Sequence, residues 1–456
     1  MVELKISLRC SQPARKKTVY ILNLISSFTG LKFTLTDDKA DIIYGEADNE
    51  KALVVPFREL MAKSSIDSPD DWQHTDSKFK VMLPAYIANE SININNSRLS
   101  FDLFQLMFRF LTTGLTNQKN PTWLSQNNAV CVYPVFDSYV EYFIQALKDL
   151  NKIPQGFQRI SPWPNGAKFA LGLSHDIDIF KRKVAGSLVM LAKSIYTDEI
   201  PGGIKGSITG LADSLKAAVS GGLNPYMMID KWFSIEGSAT FFVFAGDRRS
   251  SKDPTYKPDD VYKVLTDCKS GKYEIGLHNG LGTWADKNEL NELRNRLAEL
   301  FGSEIHGLRP HYLDCRYPDF WRNAESYEYS SSVGSDTIAG FTCGINFPFF
   351  GFDFETGDTF DILEIPIGLM DGALFSEKDK STREKTVETI IKSCIANHGL
   401  LVLDWHTRTA YEPDFPGWLK TYCSILEKAK AAGAYLAPLN EINNRWRNHC
   451  ASVFLS

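Results

Sequence analysis

The chain has 456 residues, 43% of them hydrophobic, and a formal net charge of −5 at pH 7. This length supports a full hydrophobic core and more than one domain. The charge provides no positive field that would attract nucleic acid or an acidic membrane surface, and no block of like charges occurs, so neither partner is expected.

The amino terminus lacks the charged start and unbroken apolar stretch of a secretory signal, and no later run is apolar enough to predict a membrane span. We therefore expect a cytoplasmic protein. The eight cysteines contain no Cys-x-x-Cys pair, which favours reduced thiols over a disulfide framework or a structural zinc site.

The first part of the chain alternates helical and strand-like segments. Helices are predicted near residues 17–28 and in FDLFQLMFRFLTT and FDSYVEYFIQALKDL, and short strands in KFTLT, DIIYG and ALVVPF. This pattern predicts a small α/β domain of unknown role over residues 1–155. The proline- and glycine-containing segment NKIPQGFQRISPWPNGAK follows, and it reads as a linker.

The second part, residues 156–456, repeats strand and helix. Its strand-like segments include KFALGLSHDID, SATFFVFAG, KYEIGLHNG, HGLRPHYLD, DILEIPIGLMD and GLLVLDWHT. Repeated βα units predict a parallel sheet, either open or closed, and a barrel with its site at the strand ends is the preferred form.

A long segment at about residues 180–234 interrupts this repeat directly after the first strand. It carries the glycine-rich pieces PGGIKGSITG and SGGLNP between helical stretches. Insertions of this length are often lids or partner surfaces. A lid that shapes the substrate site and an inert excursion both remain open.

The stretch LGLSHDIDIF places three ionisable residues at the end of the first strand. Because side chains alternate across a strand, Asp176 and Asp178 share one face with small residues, while His175 lies on the apolar face. Two neighbouring carboxylates repel unless a cation sits beside them, which predicts a bound metal ion. Capping of the next turn is the alternative for both aspartates.

Other strands end in polar residues as well. EIGLHNG ends near His278, LRPHYLD places Arg309 and His311 on one face, and LLVLDWHTR does the same for Asp404 and His406. The carboxyl ends of parallel strands are where such enzymes build their sites. His278 and His311 also fit structural turn positions, and His175 fits a hydrogen-bonded supporting histidine better than a ligand.

These motifs occur in the order found in the polysaccharide deacetylase family, carbohydrate esterase family 4, which residues 160–456 resemble. SHDID, EIGLHNG, GLRPHYLD and LVLDWHT resemble four of its motifs, and ATFFVF its second strand. The closest likeness is to members with an added amino-terminal α/β domain. The resemblance implies a distorted barrel of seven or eight βα units and a metal-dependent hydrolase that removes an acetyl group from an N-acetylated sugar or glycan.

The resemblance also assigns roles to individual residues. Asp176 would be the base, His406 the acid, and Arg309 the residue that holds Asp176. Asp178 and His278 would bind a divalent metal, with zinc the expected ion. Either Asp371 or Asp404 would orient His406, as carboxylates orient other catalytic imidazoles.

One ligand departs from the family pattern. The second motif usually has another histidine four residues after the first, but that position is Gly282 here. His311 shares a face with Arg309, so we expect it to replace the missing ligand, with His175 as the second choice.

Three functions remain open from the sequence: a sugar deacetylase, an inactive deacetylase fold that binds sugar or a partner, and a hydrolase of a non-sugar amide. Retention of an acid and a base favours an enzyme. Tyr312 is the expected substrate-binding residue. Trp284, Trp321 and Trp405 also lie near strand ends, although aromatic side chains there often belong to the core.

Overall fold

The computed structural model describes residues 2–47, 51–57, 72–74, 82–84, 94–95, 97–117, 131–221, 224–267 and 272–454. Two main sheets lie within these residues, with a separate antiparallel pair between two of the short strands.

The first sheet and its helices occupy the amino-terminal part of the chain. Its strands and helices, together with the separate pair β5 and β6, are β1 Glu3–Leu8, α1 Gln12–Thr29, β2 Lys32–Leu35, β3 Ile42–Tyr44, β4 Leu53–Val55, β5 Trp72–His74, β6 Met82–Pro84, β7 Ile94–Asn95, β8 Arg98–Leu99, α2 Leu103–Asn117 and α3 Val135–Asp149. The strand order is β2-β1-β3-β4-β8-β7, with β7 antiparallel to its neighbour. Helix α1 packs against α2. This part is the predicted α/β unit.

The second sheet follows. Its strands are β9 Phe169–Ile177, β10 Ser238–Phe244, β11 Lys272–Asn279, β12 Gly307–Pro310, β13 Tyr329–Ser330, β14 Phe349–Phe352, β15 Thr359–Glu364, β16 Leu369–Met370, β17 Leu400–Asp404 and β18 Ala434–Ala437. Its helices are α4 Val184–Tyr196, α5 Gly203–Ser220, α6 Ile229–Glu236, α7 Pro258–Asp267, α8 Lys287–Phe301, α9 Asp319–Asn323, α10 Asp371–Ser376, α11 Lys380–Asn397, α12 Trp418–Ala431 and α13 Leu439–Val453.

Parallel strands follow one another around a ring in this second sheet. Hydrogen-bonded pairs run from β17 through β9, β10, β11 and β12 to β13, which pairs with β15. The chain then continues from β15 into β16: the amide of Ile367 donates to Val333, the amide of Gly368 donates to Val402, and β16 pairs with β17. The sheet is therefore curled, with the segment between β15 and β16 bonded near both of its ends, which confirms the predicted α/β barrel class.

Strand β9 lies inside the second sheet, between β10 and β17. All nine of its residues are buried, as expected for a parallel strand covered on both faces. Its neighbours β10 and β17 pair with it in parallel, and β18 adds a further pair at its amino-terminal half. Ser174 and Asp176 of β9 thus face an interior that the ring encloses, where both contact Arg309.

The two sheets share one hydrophobic cluster. Phe28 of α1 stacks on Phe347 with ring centroids 4.2 Å apart and contacts Trp446 of α13. The Tyr20 hydroxyl donates to the carbonyl of Phe350 at 2.8 Å. The division near residue 155 stays a prediction, because apolar contact is continuous across it.

Among the described residues, no helix combines the length and apolarity needed to cross a membrane.

Candidate active site at the strand ends

A cavity of about 220 Å³ lies at the carboxyl ends of the barrel strands. The polar side chains that line it and matter here are those of Asp176, Asp178, His311, Asp371, His406 and Arg408. They come from the end of β9, from the residue just after it, and from the segments that follow β12, β16 and β17. The parallel arrangement of the ring brings these ends to one side, which is where barrel enzymes place their chemistry.

Asp178, His278 and His311 form a group whose donor atoms all lie within 4.8 Å of one another. Asp178 Oδ1 is 3.2 Å from His278 Nε2 and 3.3 Å from His311 Nδ1. The two imidazole nitrogens are 3.0 Å apart. The structure thus brings together the three residues predicted from the sequence to hold a metal ion.

In each of the two imidazoles, the nitrogen that faces away from Asp178 forms a hydrogen bond to a backbone carbonyl. His278 Nδ1 donates to the carbonyl of Arg309 at 2.9 Å, and His311 Nε2 donates to the carbonyl of Lys252 at 3.0 Å. With these tautomers the inward nitrogens present lone pairs, which face each other and the Asp178 carboxylate. Three acceptors directed at one point repel unless a cation lies between them, and two imidazoles with one carboxylate are suitable ligands for zinc and related ions.

Asp178 is ionised in this setting. Burial alone would raise its pKa, but the charge of His406 and the close contacts with the His278, His311 and His406 imidazoles hold the pKa well below the usual value. Burial also opposes charge on His311, yet Asp178 raises the pKa of that imidazole. The group therefore holds negative charge and attracts either a proton or a metal cation.

Arg309 forms an ion pair with Asp176 and fixes the position of its carboxylate. Its side chain is fully buried, and Nη1 donates to Asp176 Oδ1 at 2.8 Å. The remaining donors are fixed by Ser174 Oγ, Ser331 Oγ and the Ser331 carbonyl at 2.9, 2.9 and 3.0 Å. Burial raises the pKa of Asp176, but the charges of Arg309, His278 and His406 together outweigh burial, and the pKa lies below its ordinary value. Asp176 is therefore an aimed and ionised carboxylate.

His406 is oriented by Asp371. Its Nδ1 lies 2.9 Å from Asp371 Oδ1, and its backbone amide donates to Asp371 Oδ2 at 2.8 Å. The Nε2 atom faces Asp178 Oδ2 at 3.1 Å. Burial disfavours the imidazolium, but Asp371 and Asp178 raise the pKa of His406 well above its ordinary value. The two carboxylates therefore favour the protonated form of His406.

Asp404, the other carboxylate expected to orient His406, lies elsewhere. Its Oδ1 is 3.0 Å from Arg309 Nη1, and neither oxygen has a hydrogen bond of good geometry in the described part of the chain. Burial raises the pKa of Asp404 to about 7 despite the Arg309 charge. The carboxylate in contact with His406 is therefore that of Asp371. Asp404 contacts Arg309 instead.

His175 lies outside the group of metal donors. Its Nδ1 donates to the carbonyl of Trp405 at 2.6 Å, and its Nε2 is 3.0 Å from Glu236 Oε2. The ring packs between Trp232 and Phe241, with centroids 4.4 and 5.0 Å away. This is the supporting position expected from the strand alternation, and it removes His175 as the second choice of ligand.

Gly282 stands where the family pattern would have a further ligand. Its φ of +75° lies in the left-handed region, and a Cβ built there would approach only Arg249, at 4.0 Å. No atom of Asp178, His278 or His311 lies within 4 Å of that Cβ.

The aromatic residues near the strand ends fall into two groups, those packed in or against the core and those that line the cavity. Trp321 and Trp405 are fully buried and belong to the core, and Trp284 packs against it. Tyr312 is 53% exposed and lines the cavity. Trp418, which sequence reasoning missed, lines the same cavity.

Arg408 is a second residue that sequence reasoning missed. Its Nη1 donates to Asp178 Oδ2 at 3.2 Å. Its position two residues after His406 would place it on the same face of an extended strand. The chain instead forms a short 3-10 helix over Thr407–Ala410. Strand alternation does not apply there.

No family model matches the chain, and no curated protein matches it significantly. Similar solved structures include Puue allantoinase, which is 16% identical with a TM-score of 0.40 and covers 65% of this chain and 96% of its own. A Mycobacterium smegmatis protein described as a polysaccharide deacetylase is 17% identical with a TM-score of 0.38, covering 63% and 92%. A Pseudomonas aeruginosa protein with the same description is 14% identical with a TM-score of 0.38, covering 65% and 97%. Likenesses this distant leave the chemistry to be argued from the site itself.

Proposed function

We propose that this chain is a metal-dependent hydrolase that removes the acetyl group from an N-acetylated amino sugar, within a glycan or a glycan precursor. One observation carries the proposal: three acceptor atoms converge beside a carboxylate held by arginine and a histidine held by aspartate. A base, an acid and a cation site in one cavity are the parts that amide hydrolysis needs.

Asp178, His278 and His311 would hold the divalent ion, with zinc the expected one. When bound, such an ion polarises the amide carbonyl and lowers the pKa of a water molecule. The outer hydrogen bonds of His278 and His311 to backbone carbonyls fix the tautomers that make their inward nitrogens ligands.

Asp176 would take the proton from the attacking water. Arg309 occupies its Oδ1, which leaves Oδ2 as the atom that accepts the proton. His406, protonated and oriented by Asp371, would then protonate the departing amine. Because both groups line the same cavity as Asp178 and His311, proton removal and proton donation would occur on one bound amide.

Tyr312 would contact the sugar. Its exposed ring lies over the same cavity, beside His311. Aromatic rings stack well on the apolar faces of sugars, so this position suits a pyranose whose N-acetyl group reaches the metal donors.

Acetate release from a panel of N-acetylated sugars, oligosaccharides and cyclic ureides tests the proposal. Protein stripped with a chelator should be inactive and should regain activity with zinc or cobalt. Asp176→Asn should lower kcat by about 10²–10⁴-fold, as loss of a general base does. His306→Gln is the matched control, because His306 pairs with Glu328 outside the site.

The other functions predict different results. Sugar binding without acetate release from any substrate would indicate an inactive fold. Turnover of a ureide alone would indicate a hydrolase of non-sugar amides.

A further inference from the structure

Exposed apolar side chains are concentrated on one helical hairpin, formed by α4 and α5 and called here the α4–α5 hairpin. Of the thirteen large hydrophobic side chains exposed in the described residues, eight lie on it. They are Leu188, Val189, Ile195, Tyr196, Ile204, Ile208, Leu215 and Val219. Their exposed fractions run from 46% to 88%. Scattered exposed apolar residues are ordinary, but a contiguous set marks an interaction surface.

The side of this hairpin that faces the barrel carries small side chains instead of large apolar ones. Its buried residues are small: Ser187, Ser194, Gly206, Ser207, Gly210 and Ser214. A Cβ at Gly206 would lie 1.9 Å from the Pro413 carbonyl oxygen, and one at Gly210 would lie 2.4 Å from the Arg182 guanidinium. The small residues therefore allow α5 to lie directly on the barrel loops, while the large apolar side chains make no use of the core.

The outward residues form continuous stripes. Ile204, Ile208, Leu215 and Val219 recur at the spacing of one helical face, and Leu188 and Ile195 do the same on α4. Lys193, Lys205 and Lys216 are exposed and flank these stripes. The hairpin thus presents an aliphatic face with lysines along its edges.

The charge of this region differs from that of the chain. Residues 179–221 contain six basic and three acidic side chains, whereas the whole chain has a net charge of −5. Of the acids, Asp198 and Glu199 lie at the connection between the helices, and Asp213 accepts a hydrogen bond from Tyr411. Within the hairpin's outward faces, the charges beside the apolar stripes are lysines.

We propose that the outward face of the α4–α5 hairpin docks on an anionic lipid surface. Aliphatic side chains with lysines at the edge are the composition of helices that lie in the membrane interface, with the apolar face buried and the lysines near anionic headgroups. The hairpin would lie on the bilayer without crossing it. This inference does not depend on the proposed catalytic activity.

Two other occupants fit the face less well. A second copy of the chain would bring the lysine edges of two hairpins together, and like charges would repel. The core of a protein interface is usually rich in aromatic residues and poor in lysine, whereas this face has a single aromatic residue, Tyr196, among its eight apolar side chains.

The position of the hairpin relates this face to the candidate active site. A second cavity of about 430 Å³ is lined by Ala185, Gly186 and Met190 of α4. It is also lined by Tyr312 and Arg408, which border the first cavity. Docking through the hairpin would hold the entrance to the candidate site close to the lipid headgroups.

Sedimentation with vesicles tests the proposal. The full chain should bind vesicles of phosphatidylcholine with phosphatidylglycerol, and bind pure phosphatidylcholine more weakly. Leu188→Ser/Ile195→Ser/Ile208→Ser should lower the vesicle affinity at least tenfold. Lys193→Gln/Lys205→Gln/Lys216→Gln should lower it by about 100-fold on anionic vesicles at low salt, and much less on neutral ones.

The matched control removes the same number of exposed apolar residues elsewhere. Leu35→Ser/Tyr133→Ser/Ile160→Ser changes side chains that are 37%, 48% and 41% exposed, and it should bind vesicles like the unaltered protein. Circular dichroism and thermal unfolding confirm folding, and the lysine variant, whose changes are all exposed, remains informative if the apolar variant misfolds.

Three results would overturn the proposal. They are no vesicle binding by the folded protein, binding that the hairpin variants leave unchanged, and a dimer by light scattering that the apolar variant converts to a monomer without any vesicle binding. The last result would assign the face to a second copy of the chain.

Discussion

Asp178 connects the two halves of the candidate site. Its Oδ1 faces the imidazoles of His278 and His311, and its Oδ2 faces His406 and Arg408. A charge placed between the histidines therefore also acts on the proton of His406. The proposed metal donors and the proposed acid therefore form one electrostatic unit, in which a change to one residue should alter the pKa of another.

Loss of His311 should weaken metal binding. His311→Ala removes one of three convergent donors, and because loss of even an outer hydrogen-bond partner weakens metal binding about 10–100-fold, loss of a ligand should cost at least as much. Elemental analysis after dialysis against limiting zinc measures the occupancy. His306→Ala serves as the control, because His306 bonds to Glu328 away from the donors. Full occupancy in the His311 variant would remove it from the ligand set.

Loss of the Asp371 carboxylate should move the alkaline limb of activity. His406 must be protonated to act as an acid, so activity falls as pH rises through its pKa. Asp371 raises that pKa, and Asp371→Asn should therefore shift the alkaline limb to lower pH and reduce kcat. The pH profile of kcat measures both effects. Asp336→Asn, a change at another cavity carboxylate, should leave the limb in place. An unmoved limb in the Asp371 variant would exclude His406 as the group that titrates.

At the scale of elements, a buried ion pair joins strand β9 to helix α6. His175 of β9 and Glu236 of α6 lie 3.0 Å apart with fully buried side chains. Tyr422 of α12 donates a hydrogen bond to the same carboxylate. The barrel's central strand is thus tied to the end of the 180–234 insertion and to α12 through one carboxylate.

Glu236→Gln should destabilise the fold in a pH-dependent way. Burial opposes the imidazolium, but Glu236 raises the folded-state pKa of His175. The pair's contribution is therefore complete below the unfolded pKa of about 6.5 and is lost as pH rises through the higher folded value. Breaking a buried pair costs about 3–5 kcal/mol. Urea unfolding between pH 5.5 and 9 should show the largest loss at the acid end.

The exposed pair of His306 and Glu328 provides the comparison for this prediction. Its side chains are 28% and 42% exposed, and such pairs contribute roughly 0–1 kcal/mol. Glu328→Gln should therefore change the free energy of unfolding little at any pH. An equal loss in both variants, or a loss at Glu236 that does not vary with pH, would contradict the ion-pair explanation.

Strand alternation predicted the faces of β9 correctly. It placed Asp176 and Asp178 toward the cavity and His175 away from it, because a two-residue period is a local property of the backbone. It did not predict Glu236 or Arg408, whose contacts reach across 61 and 230 residues. Partners of that kind depend on how helices and loops pack, and no local period encodes them. The choice between Asp371 and Asp404 was open for the same reason.

The α4–α5 hairpin also could not be predicted from local sequence preferences. The sequence placed the glycine-rich piece PGGIKGSITG between helical stretches, yet most of it lies inside α5, an 18-residue helix in which glycine and serine occupy the buried side. Glycine lowers helix propensity, so local preference argues against this helix. Close packing on the Pro413 loop explains why small residues are used there.

At the scale of the whole molecule, the amino-terminal part and the barrel share one hydrophobic cluster, and Phe28 lies at their junction. Its side chain is 2% exposed and contacts Phe347 and Trp446 of the barrel part. Phe28→Ala should lower the free energy of unfolding by about 3–5 kcal/mol, because a buried aromatic ring is lost. Since the cluster is continuous, stability should fall in both sheets together. Hydrogen exchange should show reduced protection of amides in β1 and β9 alike. Leu35→Ala, at a side chain that is 37% exposed, should change neither. Loss of protection in β1 alone would instead show two parts that fold independently.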